Sequence, residues 1–506
     1  MTMTSRSAPA HSAPLADTSQ TAPRRAAARV LSLALLVLTL AAAPLGTNAQ
    51  GLLDLFMSPE REKQVGAEEH AKIVAQFGGE YADPALTRYV DSIGQLLART
   101  TGRRDLQFRF TVLDSPVVNA FALPGGYVYV TRGLLALAST EAEIAGVIGH
   151  EIGHVVARHG AQRQAGGTLA GIGLLVLGAV TGSQAAMQAG QLGAAALLSA
   201  YSRDDEYEAD QLGIEFMARA GFEPRAAASF LRKLEAHADL EARLVGASAQ
   251  QGGFDFFSSH PRTADRVGRA LRTATARRVD DPIVAAEIYL AKIDGLIYGD
   301  SPEDGYVRDG RFVHAPLRLA FDAPRGYHLL NGADSVVGRG PGGAGLRFTG
   351  DRLPQPMSMT RYLTALWGRQ LELREVRPLL VGDLPAATAY AHARTDDGAV
   401  FLRLAAVAFD ERTVYRFLFV APGNLPASLD DEFLRSVRSF RKLTAAEASR
   451  IQPAHLRLHT VRRGDTLDAV SALMDYPGPA LDRLMVLNGL DRGAPIRPGQ
   501  KLKIVR

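Results

Sequence analysis

Cysteine is absent from all 506 residues. The chain therefore forms no disulfide, has no thiol nucleophile, and must bind any metal through His, Asp or Glu. A surplus of one charge is missing too. The 57 Lys and Arg nearly balance the 53 Asp and Glu, giving +4. Residues 1–49 hold Arg6, Arg24, Arg25, Arg29 and Asp17, so the rest of the chain is close to neutral and the pI of 9.2 is no argument for nucleic acid. Long hydrophobic runs are scarce. The apolar run Val30 to Ala43 is shorter than the roughly 20 residues of a spanning helix. It comes after Arg24, Arg25 and Arg29 and ends near Thr47-Asn48-Ala49, the layout of a signal peptide cleaved after Ala49 behind a disordered Ala-, Ser-, Thr- and Pro-rich extension. With no Cys after the run there is no lipoprotein anchor, and the expectation is an exported periplasmic protein of the cell envelope.

What is present centres on His150-Glu151-Ile152-Gly153-His154. Histidines four apart share one face of a helix, so both imidazoles reach one ion, and the intervening Glu matches the general base of the H-E-x-x-H arrangement. Thr140 and Glu143 form a T-x-x-E capping signal for that helix, reinforced by Glu141. Gly146, Gly149 and Gly153 weaken its propensity but bare one face to another backbone. The third ligand sets the class. A metzincin pattern needs His at position 160, which is Gly160; His159 misses by one. The alternative is a Glu from a second helix. Glu206 and Asp210 are four apart and project to one side, Glu206 to bind zinc and Asp210 to accept the free N–H of a ligand His. Glu208 points elsewhere and reads as solvent-facing or structural.

Four motifs in order, Asn119 to Gly126 (NAFALPGG), HEIGH, Tyr201 to Asp210 (YSRDDEYEAD) and Ser258 to Pro261 (SSHP), resemble the BepA-like periplasmic zinc metallopeptidases, relatives of HtpX and the CAAX prenyl proteases. The resemblance covers roughly residues 58–275. It implies a gluzincin-type endopeptidase with one Zn2+ per chain, ligands His150, His154 and Glu206, base Glu151, and Asp210 behind the ligands. In similar proteins a His of the SHP loop occupies the fourth zinc position and latches the enzyme. His260 matches it, and a loop His or a transition-state stabiliser are equal readings. The resemblance also points to protein clients, among them unassembled outer-membrane proteins.

The expected fold is multidomain: a mainly α metallopeptidase domain with a small sheet (50–300), an α+β domain (301–445), a linker (446–458) and a βααβ module (459–506). Leu106, Phe108, Phe110 and Val112 alternate as a strand. Either Asn119–Leu123 or Tyr127–Val130 holds an extended peptide by strand addition, or the pair is a plain hairpin. Residues 165–200 are almost uncharged; a helical hairpin beside the zinc helix is favoured over a surface touching membrane or client, or a spanning pair. The Arg-rich helix 263–278 reads as solvated surface. Residues 306–445 carry strand patterns and faintly resemble PsbP/Mog1-like α+β domains, with His314, His328 and His392 structural. The tail, with Gly464-Asp465-Thr466, Asn488-Gly489-Leu490 and a closing strand, resembles a LysM module. That resemblance implies peptidoglycan binding through Gly464, Asp465, Thr466 and Asn488, mainly by their backbone groups. Two functions fit: an envelope endopeptidase, and a wall-bound chaperone whose zinc site is mostly latched.

Overall fold

A computed structural model describes residues 57–163, 200–245, 256–261, 265–332, 335–395, 398–423 and 427–506. The expected signal peptide and the expected hairpin at 165–200 lie outside the described residues. Of two compact units, the one holding Pro59–Gly160 and Ser199–Arg506 contains almost all of them.

Helix α1 (Pro59–Gln76) ends ahead of Gly78 and Gly79, both at positive φ. Helix α2 (Pro84–Thr100) is capped by Asp83, whose carboxylate accepts from the N–H groups of Ala85 and Leu86. It buries Leu86, Val90, Ile93 and Leu97, which recur at helical spacing. Strands β1 (Arg109–Leu113), β2 (Ala120–Leu123) and β3 (Tyr127–Thr131) form a sheet in the order β1-β3-β2. β3 is therefore central, pairing on both sides, and only β2 of the two candidate strands is an edge. Strand addition through Tyr127–Val130 is ruled out, because its backbone groups are already spent on neighbours.

A short helix α3 (Arg132–Leu137) leads into α4 (Glu141–Val156), which carries the HEIGH motif and is buried over nearly its whole length. Thr140 caps α4, accepting from Glu143 N–H. The reciprocal half of the capping box is absent. Glu143 instead accepts from Ser139 N–H, Ser229 and Lys233, tying the helix start to its neighbours. Helices α5 (Arg203–Arg219) and α6 (Arg225–Val245) pack on α4. The glycine face is what lets them in. A Cβ at Gly149 would stand 3.0 Å from Gly213 O, and one at Gly153 2.9 Å from Ala209 O. That face meets α5 and α6.

Helices α7 (Phe256–Ser259), α8 (Arg266–Ala276) and α9 (Ala286–Ile293) complete the α layer. Strand β4 (Ile297–Tyr298) comes next. The middle region is β-rich. Strands β5 (Tyr306–Arg308), β6 (Arg311–His314) and β7 (Leu319–Asp322) belong to a four-stranded sheet. Strands β8 (His328–Asn331), β9 (Val336–Arg339), β10 (Gly345–Arg352), β11 (Arg374–Val381), β12 (Leu384–Thr395), β13 (Gly398–Ala408) and β14 (Thr413–Pro422) form a seven-stranded antiparallel sheet. Helix α10 (Ala427–Arg438) closes a core around Phe321, Phe348, Phe417 and Phe433, and β15 (Arg441–Lys442) joins β7.

The stretch expected to be a linker is structured. It holds α11 (Ala445–Arg450) and most of β16 (Ala454–Thr460). After α12 (Leu467–Ser471) and α13 (Ala480–Asn488) the chain ends in β17 (Lys501–Val505), antiparallel to β16. β16 also pairs with β4, and Leu456 is buried in the core that holds α4. The tail is thus seated on the peptidase-like domain. No helix among the described residues is long and apolar enough to cross a membrane.

Candidate metal centre

Helix α4 presents His150 and His154 one turn apart, their Nε2 atoms 3.0 Å from each other. Helix α5 supplies Glu206, with Oε1 3.4 Å from His154 Nε2. The turn after α7 supplies His260, whose Nδ1 lies 2.9 Å from Glu206 Oε1 and 3.2 Å from His150 Nε2. All four side chains are buried, and their ligand atoms lie within 4.8 Å of one another. Bonds of about 2.0–2.2 Å to a tetrahedral Zn2+ require ligand edges of about 3.3–3.5 Å. The observed edges are within a few tenths of an ångström, and the donor set of three imidazoles and a carboxylate suits zinc.

The surrounding groups orient these ligands. Asp210 Oδ1 lies 2.9 Å from His150 Nδ1, which frees Nε2 for the metal. Burial opposes the charge on Asp210, but Arg266 and His150 hold its carboxyl down at about 2. Burial likewise opposes the Glu206 carboxylate, and His260 and Arg266 keep it well below the usual range. For His154 burial dominates and favours the neutral imidazole, the form that ligates. Glu151 is fully buried; burial pushes its carboxyl up, and neither oxygen has a hydrogen-bond partner among the described residues. A buried carboxylate free of hydrogen bonds, 3.4 Å from His260 Nε2 and beside the converging ligand atoms, is a natural seat for a water molecule.

Two residues outside the motifs belong to the site. Arg266, 3% exposed, donates from Nε and Nη2 to both Asp210 oxygens at 2.7 and 2.9 Å, and its Nη1 stands 2.5 Å from Glu206 Oε2. The reading of its helix as solvated surface fails here: the helix turns Arg266 inward, where two carboxylates neutralise it. His159 lies beyond the end of α4, where Arg158 adopts φ 61° and reverses the chain. Its Nδ1 is 2.9 Å from His154 Nδ1, and its Nε2 is 3.3 Å from Glu208 Oε2. Glu208 is largely exposed, as expected, yet it closes this chain of contacts. Rings stack on the ligands from the sides: Tyr201 on His154 at 3.8 Å and Phe256 on His260 at 4.4 Å. Nothing local in the sequence marks Arg266 or His159; only the regular spacing His154 to His159 hints at the latter.

In the C-terminal module Gly464 sits exposed at φ 93°. The side chains of the other three candidates are engaged within the fold. Asp465 accepts from Arg462 N–H and pairs with His459, and Thr466 caps α12 through Ala469 N–H. Asn488 donates to Leu484 O and Lys503 O and accepts from Lys503 N–H.

An HEIGH helix, a Glu from the next helix and a buried base define the class: a gluzincin-type zinc peptidase centre. Residues 84–274 match the model of peptidase family M48 and residues 459–505 the LysM domain, so the chain carries an M48 metallopeptidase domain and a C-terminal LysM domain. Among relatives, a beta-barrel assembly-enhancing protease of Escherichia coli is 30% identical over 221 residues, 42% of this chain and 43% of that protein. Its Yersinia pestis counterpart is 34% identical over 163 residues, 30% of this chain and 33% of that one. Mitochondrial metalloendopeptidase OMA1 of Schizosaccharomyces pombe is 30% identical over 214 residues, 42% of this chain and 60% of that protein. The chain spans less than two thirds of each of these relatives.

Proposed function

We propose that this chain is a zinc-dependent endopeptidase of the bacterial envelope that cleaves misfolded or unassembled envelope proteins while held near peptidoglycan by its LysM domain. The observation that carries the reading is the buried carboxylate of Glu151, free of hydrogen bonds among the described residues, beside the ligand atoms of His150, His154 and Glu206. Zinc held there supplies Lewis acidity, lowering the pKa of water from 15.7 to about 7 and polarising a carbonyl. The chain's own part is proton transfer and positioning. Glu151 takes the proton of the attacking water and passes it to the departing nitrogen. Edge strand β2 aligns an extended substrate by backbone pairing beside α4. Asp210 and Arg266 hold His150 and Glu206 in place. Arg203, Tyr207 and His260 are the side chains able to stabilise an oxyanion here; Tyr207 gives its hydroxyl to Asp265 and Arg203 is exposed, which favours His260. The assembly of β-barrel proteins named for the bacterial relatives suggests unassembled outer-membrane proteins as clients.

A second reading has its own support. His260 Nδ1 takes the fourth corner of the ligand set, the position an open catalytic centre leaves for water and substrate. With that corner filled the protein is a latched, client-binding assembly factor until His260 swings away. Casein digestion with and without chelator, repeated with Glu151→Gln, tests the enzyme. Chelator and Glu151→Gln should each abolish cleavage, and the variant should keep its zinc. Undiminished cleavage by zinc-loaded Glu151→Gln would remove Glu151 from the base role.

A further inference from the structure

A cavity of about 570 Å3 lies away from the metal centre, walled by the peptidase domain, the β-rich domain and the LysM domain together. Its lining includes Arg132 from α3, Glu241 from α6, Asp300 from the turn after β4, and Tyr476 and Arg483 of the LysM domain. Arg132 and Arg483 are both more than nine-tenths buried. Arg132 spends its other nitrogens on Asp114 and the carbonyls of Ile297 and Gly299, yet Nη2 has no acceptor among the described residues. Arg483 donates Nη1 to Tyr298, and its Nε likewise lacks one. The hydroxyl of Tyr327, also in the lining, is unpartnered as well. Leaving a buried polar group without a partner costs about 1–3 kcal/mol, more for a charged one. Three such donors bordering one cavity call for an acceptor inside it.

The lining is not simply basic. Glu241 stands 3.5 Å from Arg483 with its side chain 40% exposed, and Asp300 uses one oxygen to accept Val307 N–H at 2.7 Å. A purely anionic ligand would meet both carboxylates. A neutral one would offer the open donors, Arg132 Nη2 and Arg483 Nε, only a weaker, uncharged acceptor. A molecule with a carboxylate at one end and an ammonium at the other answers both signs. Apolar side chains in the lining, among them Leu234, Leu244 and Leu487, suit a hydrophobic residue. We infer that this cavity binds a short zwitterionic peptide, two to four residues with free ends, its carboxylate on Arg132 and Arg483 and its ammonium toward Glu241 and Asp300. The product class of an endopeptidase is of this kind, a link that rests on the proposed activity; the binding itself does not. Phe256 and Phe257 also line the cavity, and the Phe256 ring stacks on His260. The bound peptide therefore adjoins α7, the helix just before the fourth ligand.

Calorimetry on the full chain carrying Glu151→Gln, with Leu-Phe and Ala-Leu-Phe as probes, tests this without turnover. One site per chain is expected. N-acetylation or C-terminal amidation of the probe should each weaken binding at least tenfold. Binding should persist after zinc removal and be lost in Ala242→Phe, which fills the cavity without replacing a charged residue, and should weaken in Glu241→Gln. No heat with any probe at millimolar concentration, or binding that vanishes with zinc and survives Ala242→Phe, would overturn the assignment. If wild-type protein proves unable to cleave casein while these peptides still bind, the peptidase reading fails and the cavity stands.

Discussion

Lys503, in the last strand of the LysM domain, donates to the carbonyl oxygen of Ala138 at 2.6 Å, just past the end of α3 in the peptidase domain. The same ammonium bonds Ala136 O and Leu137 O, both at 2.8 Å, and the side chain is fully buried. Three acceptors match its three N–H bonds. These carbonyls end a helix, where the backbone lacks internal donors and carries partial negative charge. Lys503 is thus a cap supplied from more than 360 residues away.

Replacing it with methionine keeps the stem but strands three carbonyls. Lys503→Met should destabilise the chain by about 2–4 kcal/mol, from the cost of breaking a buried charged network. Urea unfolding checks it, and limited proteolysis should show the LysM domain released first. A change below about 0.5 kcal/mol would mean that the contact is incidental.

Arg266 fixes two carboxylates, the ligand Glu206 and Asp210 behind His150. Arg266→Ala should lower zinc affinity by roughly 10–100-fold, the usual effect of losing a partner of a ligand. Competition against a chromogenic chelator measures it. Arg266→Lys should recover only part, because a lysine cannot span both Asp210 oxygens with a fork.

Removing His260 separates the two functional readings. Three ligands remain, enough for a catalytic zinc. If His260 acts as a latch, His260→Ala should keep zinc and cleave casein several-fold faster than wild type; if it stabilises the oxyanion, cleavage should fall by about 10²–10³-fold. Client binding in a pull-down should survive in either case if the assembly-factor reading holds.

Burial pushes the Asp300 carboxyl up to about 6. A carboxyl raised above its unfolded value of about 3.9 favours the native state when protonated. Its contribution is complete below pH 4 and is lost as pH rises through about 6. Asp300→Asn should therefore raise stability near pH 7.5 by roughly 1–3 kcal/mol and flatten the change between pH 4 and 6.5. Thermal melts across that range check the sign; a variant less stable at pH 7.5 would contradict it.

The metal helix was readable because its information is local. A four-residue spacing places both imidazoles, and three glycines announce a close backbone neighbour, found as α5 and α6. Asp210 was found by the same periodicity. Arg266 was not, because it lies on a different helix among other arginines, and only tertiary packing decides which of them turns inward. The choice between β2 and β3 as the sheet edge was equally hidden: two strands joined by a tight turn read alike until the parallel pairing of β1 with β3 is known. The stretch 446–458 passed for a linker because its seven-residue strand draws partners from both β4 and β17. Pairings so distant leave no mark in the local pattern.

That shared strand sets an order of events. The hydrophobic interior begun by α2 is not complete until Leu456 arrives and β17 has zipped against its partner, so a chain emerging N-terminus first has its ligands in hand long before their scaffold is finished. The metal centre would then gain its full support only once the C-terminal strands are in place.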